Sequence, residues 1–414
     1  MGTLIVGASV AGVRTAQALR MMGYADAITL LGEEPHLPYD KPPLSKEMLD
    51  EDGAPVPLLT EVELAGLGLD LRLGTRAAGL DTARRQVRTE TGEVLDYGDL
   101  VIATGVKPRV LPNSRQLEGV HTLRTHDDAV AVRRAMGLTR HLVVIGGGFI
   151  GSEVAAAARR RGLTVEIVEP QQIPMAHLFG PEVAVELAQL HELNDVVVHA
   201  GVGVADLLGS DHVTAVRLTD GRALDTDLVV VGIGAVPATD WLEGSGLPVE
   251  DGVLCDEGLR VVGAQHVFAA GDVARWPCSF ADSPVRIEHW TNANEHGALV
   301  AASILGEEAP RAQPPYVWSD QYGHRIQIVG TPRVGRPAVV AGSVADGTLV
   351  ALFADDEHRT VGAVVLDDAR TFMRARRAVG ARTPVGQVDL GLAAATDSVT
   401  GRAASQTQTT RRNH

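Results

Sequence analysis

The 414-residue chain has only two cysteines, Cys255 and Cys278. That is too few for a secreted disulfide framework, and their spacing matches no metal motif. It also lacks any unbroken run of the roughly eighteen apolar residues that a membrane helix requires. No basic region precedes the first apolar strand, Thr3 to Gly7, so no secretory signal is expected and the chain reads as cytoplasmic. Positive charge is outweighed: the formal net charge is −15, which repels a nucleic-acid backbone. What is plentiful is glycine, with 45 copies, alongside 45% apolar residues. Such a composition suits an α/β enzyme with many strand-to-helix turns, and the length allows two or three domains.

The glycines fall into two loops of one kind. At the start, Leu4-Ile5-Val6 is an apolar strand, and Gly7-Ala8-Ser9-Val10-Ala11-Gly12 follows it. A helix is expected from Val13 to Met22, ended by Gly23, and a second strand from Ile28 to Leu31. This is a βαβ unit with a dinucleotide fingerprint in which Ser9 replaces the middle glycine. Serine is the next least intrusive side chain there, and its hydroxyl is able to bond a phosphate oxygen. Glu33 lies 21 residues past Gly12, near the roughly 20-residue spacing of a carboxylate that accepts from ribose hydroxyls.

The second loop is intact. Leu142 to Ile145 is a strand, Gly146, Gly148 and Gly151 complete G-x-G-x-x-G, and a helix from about Gly151 to Arg161 ends at Gly162. Thr164 to Val168 is the next strand, and Glu169 closes it. Helix N-terminal amides then face a pyrophosphate. A carboxylate at Glu169 pairs with a free ribose 2′-OH and repels a 2′-phosphate, and Pro170-Gln171-Gln172 brings no arginine, so this loop should prefer NADH.

Two further segments, "DLVIATG" (Asp99 to Gly105) and "VFAAGDVA" (Val267 to Ala274), read as strands closed by tight turns. Alone, Asp272 in the second reads more readily as a helix N-cap than as a ligand. With both loops present, the chain resembles the flavoprotein pyridine-nucleotide reductases. The resemblance narrows at "PYDKPPLSK" (Pro38 to Lys46), "LRT" (Leu123 to Thr125), "RIEHW" (Arg286 to Trp290) and "WSDQY" (Trp318 to Tyr322). Over residues 1–395 the chain is similar to the FAD-dependent ferredoxin reductases of bacterial oxygenase systems, the putidaredoxin reductase and biphenyl-dioxygenase reductase types.

That resemblance implies two Rossmann-like dinucleotide-binding domains of α/β class and a small α+β C-terminal domain. An FAD domain would span 1–108 and 235–313, an NADH domain 109–234 and a C-terminal domain 314–395, with a disordered tail from about Thr396. It implies FAD contacts at Gly7, Ala8, Ser9, Ala11, Gly12, Glu33, Pro43, Lys46, Ala77, Ala103, Thr104, Gly105, Arg124, Asp272, His289, Trp290 and Trp318. It implies NADH contacts at Gly146, Gly148, Phe149, Ile150, Gly151, Glu153, Glu169 and Gly234. Lys46 and Glu153 are implied to pair beside the flavin, where a buried cation stabilises the reduced, anionic ring. Pro42 and Pro43 stiffen the approach to Lys46.

Disulfide chemistry needs paired or reactive cysteines against the flavin, and Ser45 and Lys46 occupy that region. Cys255 and Cys278 read as inert packing thiols. The expected function is therefore NADH oxidation with single-electron delivery to a [2Fe–2S] ferredoxin that serves a cytochrome P450 or a ring-hydroxylating oxygenase. Rubredoxin reduction, NADH oxidase activity and redox-dependent signalling are the alternatives. The acids at Asp367 and Asp368 open a helix to Val379 whose Arg370, Arg374 and Arg377 share one face, with Arg376 and Arg382 nearby. This stripe could steer an acidic ferredoxin, and Arg159-Arg160-Arg161 is a rival patch. Neither a nucleic-acid nor a membrane partner, nor a metal, is expected, and the chain should be a monomer or weak homodimer.

Overall fold

The computed structural model describes residues 1–50, 53–112, 114 and 117–391; the expected tail lies outside them. Two five-stranded parallel sheets share the arrangement of four strands around each glycine loop and differ at one edge, which is closed by the last strand in chain order in the first sheet and by the first in the second. In the first, the order is Val267–Ala269, Asp99–Ile102, Thr3–Val6, Ile28–Leu31, Asp70–Arg72. In the second it is Val196–Ala200, Thr164–Glu169, His141–Ile145, Val229–Val231, Val120–His121. Apart from Thr3 and the part-buried His141 at their starts, the strands next to each glycine loop are apolar and buried on both faces, as parallel sheets require. Val106–Pro108 pairs antiparallel with Ala235–Pro237, where the chain leaves the first unit and returns to it.

The helix after each loop starts earlier than expected. They run Val10–Met21 and Phe149–Arg160, so the final glycine of each fingerprint lies inside the first turn. This leaves the loop's last amides among the unpaired donors at a helix N-terminus.

A third sheet is antiparallel, in the order Tyr316–Gln321, His324–Gly330, Thr360–Leu366, Val350–Ala354, Arg336–Ala341. Helix Ala369–Gly380, capped by Asp368, covers one face with Phe372, Ala375 and Val379. The other face shares a core with helix Ala176–Glu192 of the second unit, through Phe179, Val183, Leu187 and Leu190 against Ile326, Ile328 and Phe353. The fold is thus α/β, with two Rossmann-like units and a small α+β C-terminal unit. No helix among the described residues is long and apolar enough to cross a membrane.

The segment that carries "DKPPLSK" belongs to the first unit but packs on the second. Leu44, Met48 and Leu49 share a core with Ala129, Val132, Val154 and Ala157. Arg160 pairs with Asp50 at 2.9 Å, and Arg161 donates to the Leu49 carbonyl at 2.8 Å. Arg159 caps the Asn194 and Leu163 carbonyls at 2.9 Å each. The three arginines therefore tie segments together, with Arg160 still exposed.

Candidate active site

The first loop turns because its ends must touch backbone. A Cβ on Gly7, whose φ is +123°, would lie 2.1 Å from the Ala103 carbonyl oxygen. Ser9 is the helix N-cap, yet its side chain makes no capping hydrogen bond. A capping serine ordinarily accepts from an amide of the first turn. Here the hydroxyl and the helix amides are left facing a cavity, an arrangement suited to a phosphate.

Two cavities, of about 290 and 660 Å³, adjoin at Ser9, Lys41, Ala103, Gly105 and Arg124. The larger one is lined by Gly7, Ala8, Glu33, Ala77 and Thr104. The smaller one is lined by Ala11, Lys46, Phe149, Ile150, Glu153, Asp272, Trp290 and Trp318. Most residues expected around a flavin therefore come together from distant parts of the chain.

Three expected contacts line neither cavity. Gly12 is consumed by packing, since a Cβ there would meet the Gly7 carbonyl oxygen at 1.9 Å. Pro42 rather than Pro43 lines the smaller cavity. His289, part-buried, is the N-cap residue of helix Trp290–Leu305 but makes no side-chain capping bond, and its neighbour Glu288 lines the cavity instead. Burial holds the His289 imidazole down at about 4.

Electrostatics organises the junction. Arg124 reaches Asp272 at 3.2 Å. Burial pushes the Asp272 carboxyl above its usual range, against the pull of Arg124. On the rim of the larger cavity Lys41 pairs with Glu34 at 2.7 Å, and Tyr39 donates to Glu34 at 2.5 Å while accepting from the His126 amide. Burial raises Glu34, but the Lys41 charge and bond outweigh it and leave the carboxyl below its usual range. Burial likewise raises the Tyr39 phenol. On the same rim, His36 Nε2 and His126 Nδ1 lie 2.8 and 3.1 Å from Asp127 Oδ1, two ring nitrogens on one carboxylate oxygen. Sequence reasoning missed Glu34, Tyr39 and Lys41, although Tyr39 and Lys41 lie within the "PYDKPP" segment and Glu34 just before it.

Lys46 and Glu153 form a buried ion pair at 2.8 Å. Two serines absent from the sequence expectation complete it: Ser45 Oγ donates to Glu153 at 2.5 Å and Ser319 Oγ at 2.7 Å. Neither cysteine lines this cavity. Burial pushes the Cys255 thiol up to about 12 and raises Cys278 as well, so both are unreactive.

On the second loop, Gly146 has φ +104° and a Cβ would sit 2.3 Å from the Gly232 carbonyl oxygen. Gly151 is barred from a Cβ by the Gly146 carbonyl oxygen at 2.0 Å. Gly148, with ordinary extended backbone, has open space around it. Glu169 is buried, accepting from the Gly147 amide at 2.8 Å and the Gln171 amide at 2.9 Å, so it braces the loop. Gly234, with φ +90°, lies at the crossing between units.

An aromatic file leads from the smaller cavity to the surface. Trp290 meets Trp318 edge-on with centroids 6.3 Å apart, Trp318 stacks on Tyr316 at 5.9 Å, and Arg376 lies over Tyr316 at 5.6 Å. Of the arginine stripe, Arg370 and Arg377 are exposed, while Arg374 reaches Asp389 at 3.5 Å.

Comparison with known proteins agrees with this geometry. A family model described as pyridine nucleotide-disulphide oxidoreductase matches residues 1–297, and one described as reductase C-terminal matches residues 316–397. The chlorobenzene dioxygenase ferredoxin reductase component of Cupriavidus sp. (strain PS12) is 38% identical over 385 residues, covering 92% of this chain and 93% of its own. The crystal structure of the covalent putidaredoxin reductase–putidaredoxin complex superposes with a TM-score of 0.88 at 31% identity, covering 92% of this chain and 94% of the other. The ferredoxin reductase of the CYP199A2 system from Rhodopseudomonas palustris gives a TM-score of 0.86 at 34% identity, over 91% and 93%. Two repeated dinucleotide folds, a thiol-free junction between them and these likenesses lead to one conclusion: the chain belongs to the pyridine nucleotide-disulphide oxidoreductase family and, within it, to the ferredoxin reductases of bacterial oxygenase systems.

Proposed function

We propose that this protein is an NADH:ferredoxin oxidoreductase that uses FAD and passes electrons singly to a [2Fe–2S] ferredoxin serving an oxygenase. The observation that carries this reading is the pair of adjoining cavities, of which the smaller reaches from the Ser9 helix terminus to the Lys46–Glu153 pair, with no cysteine in its lining. The domain boundaries are placed at 1–108 with 235–313, at 109–234 and at 314–395, in keeping with the strand pair Val106–Pro108 and Ala235–Pro237.

The residues fit an extended dinucleotide. The uncapped amides and Ser9 hydroxyl receive the pyrophosphate, Glu33 the ribose hydroxyls, and Asp272 with Arg124 the polar chain between pyrophosphate and ring. Trp290, Trp318 and Lys46 would hold the ring itself. Bound flavin supplies the conversion of a two-electron hydride into single electrons. The protein's part is to hold, orient and shield. Lys46 places positive charge where negative charge develops, and Glu153 balances it while the site is closed to water. The open space at Gly148 admits the NADH pyrophosphate, and the fixed carboxylate of Glu169 disfavours a 2′-phosphate.

The electron acceptor is an acidic ferredoxin. It docks beside the C-terminal helix, where Arg376 meets the aromatic file and Arg370 and Arg377 add exposed positive charge.

The test is NADH-driven cytochrome c reduction with and without an acidic [2Fe–2S] ferredoxin. The expected result is a large rise on adding ferredoxin, well above the rate of direct oxygen consumption, and slower turnover with NADPH. Fast NADH consumption in air with no rise for several ferredoxins would replace this reading with an oxidase.

A further inference from the structure

Glu153 is gripped by all three units of the fold. It stands on helix Phe149–Arg160 of the second unit. From the first unit, Ser45 Oγ and Lys46 Nζ both address its Oε2, at 2.5 and 2.8 Å. From the C-terminal sheet, Ser319 Oγ donates to Oε1 at 2.7 Å. Ser319 in turn accepts from Gln321 Nε2 at 3.0 Å. All five side chains are buried; Ser319 is 0% and Gln321 1% exposed. Ser319 and Gln321 are two residues apart on one strand, so they face the same side of the sheet.

The division of labour matters. A glutamate carboxyl turns easily about its terminal torsion. With both first-unit donors on Oε2, Ser319 is the only hydrogen-bond donor to Oε1 among the described residues. It fixes the carboxylate plane, and the plane aims Lys46, whose other described bond is a long one of 3.2 Å to the Pro42 carbonyl. A polar pair buried this deeply at an interface has an apolar alternative of equal volume, and its presence calls for a role beyond filling space.

We propose that Ser319 and Gln321 are positioning residues for the Lys46–Glu153 pair, so that the C-terminal sheet completes the site that accepts hydride. This rests on the function proposed above.

The experiment compares the flavin-loaded wild type with Ser319→Ala, Gln321→Leu and Lys46→Ala. Anaerobic stopped-flow mixing with NADH separates the limiting rate of flavin reduction from the NADH Kd, and potentiometry gives the flavin midpoint potential. Loss of a bond to a charged group corresponds to about a 10- to 100-fold effect. Ser319→Ala should slow the limiting rate by about tenfold or more, leave the NADH Kd within about twofold, and move the potential to a more negative value. Gln321→Leu should shift both in the same direction by less, and it serves as the test should Ser319→Ala lose its flavin. Ser319→Thr, which keeps the hydroxyl, should recover much of the rate.

If Lys46→Ala slows reduction while Ser319→Ala and Gln321→Leu leave rate and potential unchanged, the positioning role is wrong and the proposed function stands. If Lys46→Ala also leaves both unchanged, the role of the pair itself is wrong.

Discussion

The two glycine loops are built alike and, among the three fingerprint glycines, depart from one another only at the middle one, Ser9 against Gly148. Gly7 and Gly146 have φ of +123° and +104°, and each presses on a carbonyl of the neighbouring crossover, Ala103 or Gly232. Gly12 and Gly151 each abut the first glycine of their own loop, with room for a Cβ only 1.9 or 2.0 Å from its oxygen. Between them, Ser9 and Gly148 hold nearly the same extended backbone, φ −106° and −81°, ψ −163° and −173°. The outer glycines are demanded by backbone against backbone, so both loops keep them. Neither conformation nor packing demands the middle glycine. That position is left to the ligand, which on the proposed reading is a resident flavin beside Ser9 and an exchanging NADH beside Gly148.

Breaking the shared part should have the largest effect. Gly12→Ala and Gly151→Ala each force a methyl against a carbonyl oxygen, a clash that the backbone must relieve. Each should cost about 3 kcal/mol or more in chemical denaturation. A stable Gly12→Ala protein with normal flavin content would show that the loop relaxes and that the outer glycines are not structural requirements.

Acid should separate the two halves by a similar or smaller amount. Burial lowers His191 in the second unit to about 4, His289 in the first to about 4 and His296 to about 3. Each is neutral when folded and binds a proton on unfolding below its ordinary value near 6.5. The stability each neutral ring contributes is therefore present above pH 6.5 and lost as pH falls toward about 4, up to about 3 kcal/mol per histidine. His191→Gln should lower the dependence of unfolding free energy on pH by about 1.4 kcal/mol per unit between pH 6.5 and 4. An unchanged slope would mean that this ring, hydrogen-bonded to Tyr322 at 2.7 Å, protonates inside the folded protein.

The smallest effects sit at the residue that differs. Gly148→Ser should leave the melting temperature unchanged and weaken NADH binding about tenfold, about 1.4 kcal/mol. Ser9→Gly should change FAD affinity by less than about threefold. Equal losses in the two variants, measured by calorimetry, would erase the distinction between a resident and a visiting ligand.

Much of the site was legible from local pattern. Each fingerprint is a few residues long and sits between an apolar strand and a helix, so spacing alone locates it. Asp272, Lys46 and Trp318 needed the family resemblance, because a lone acid, lysine or tryptophan has ordinary structural uses. The helix starts were misplaced because the final glycine looks like a stop signal, while in space it is the first turn's point of contact with the strand. The arginine triplet shows only its charge in the sequence; that its side chains also reach carbonyls and an aspartate on other segments is a matter of tertiary structure.

The sequence by itself determined the two nucleotide loops, the lack of a usable thiol and the approach to Lys46, because each depends on neighbours in the chain. Tertiary structure alone decided what surrounds Glu153. Its partners Ser45 and Ser319 lie 108 and 166 residues away, inside the "PYDKPPLSK" and "WSDQY" segments, but neither segment by itself says that its serine bonds Glu153. A serine acquires such a role only when folding removes water and leaves one carboxylate for it to bond.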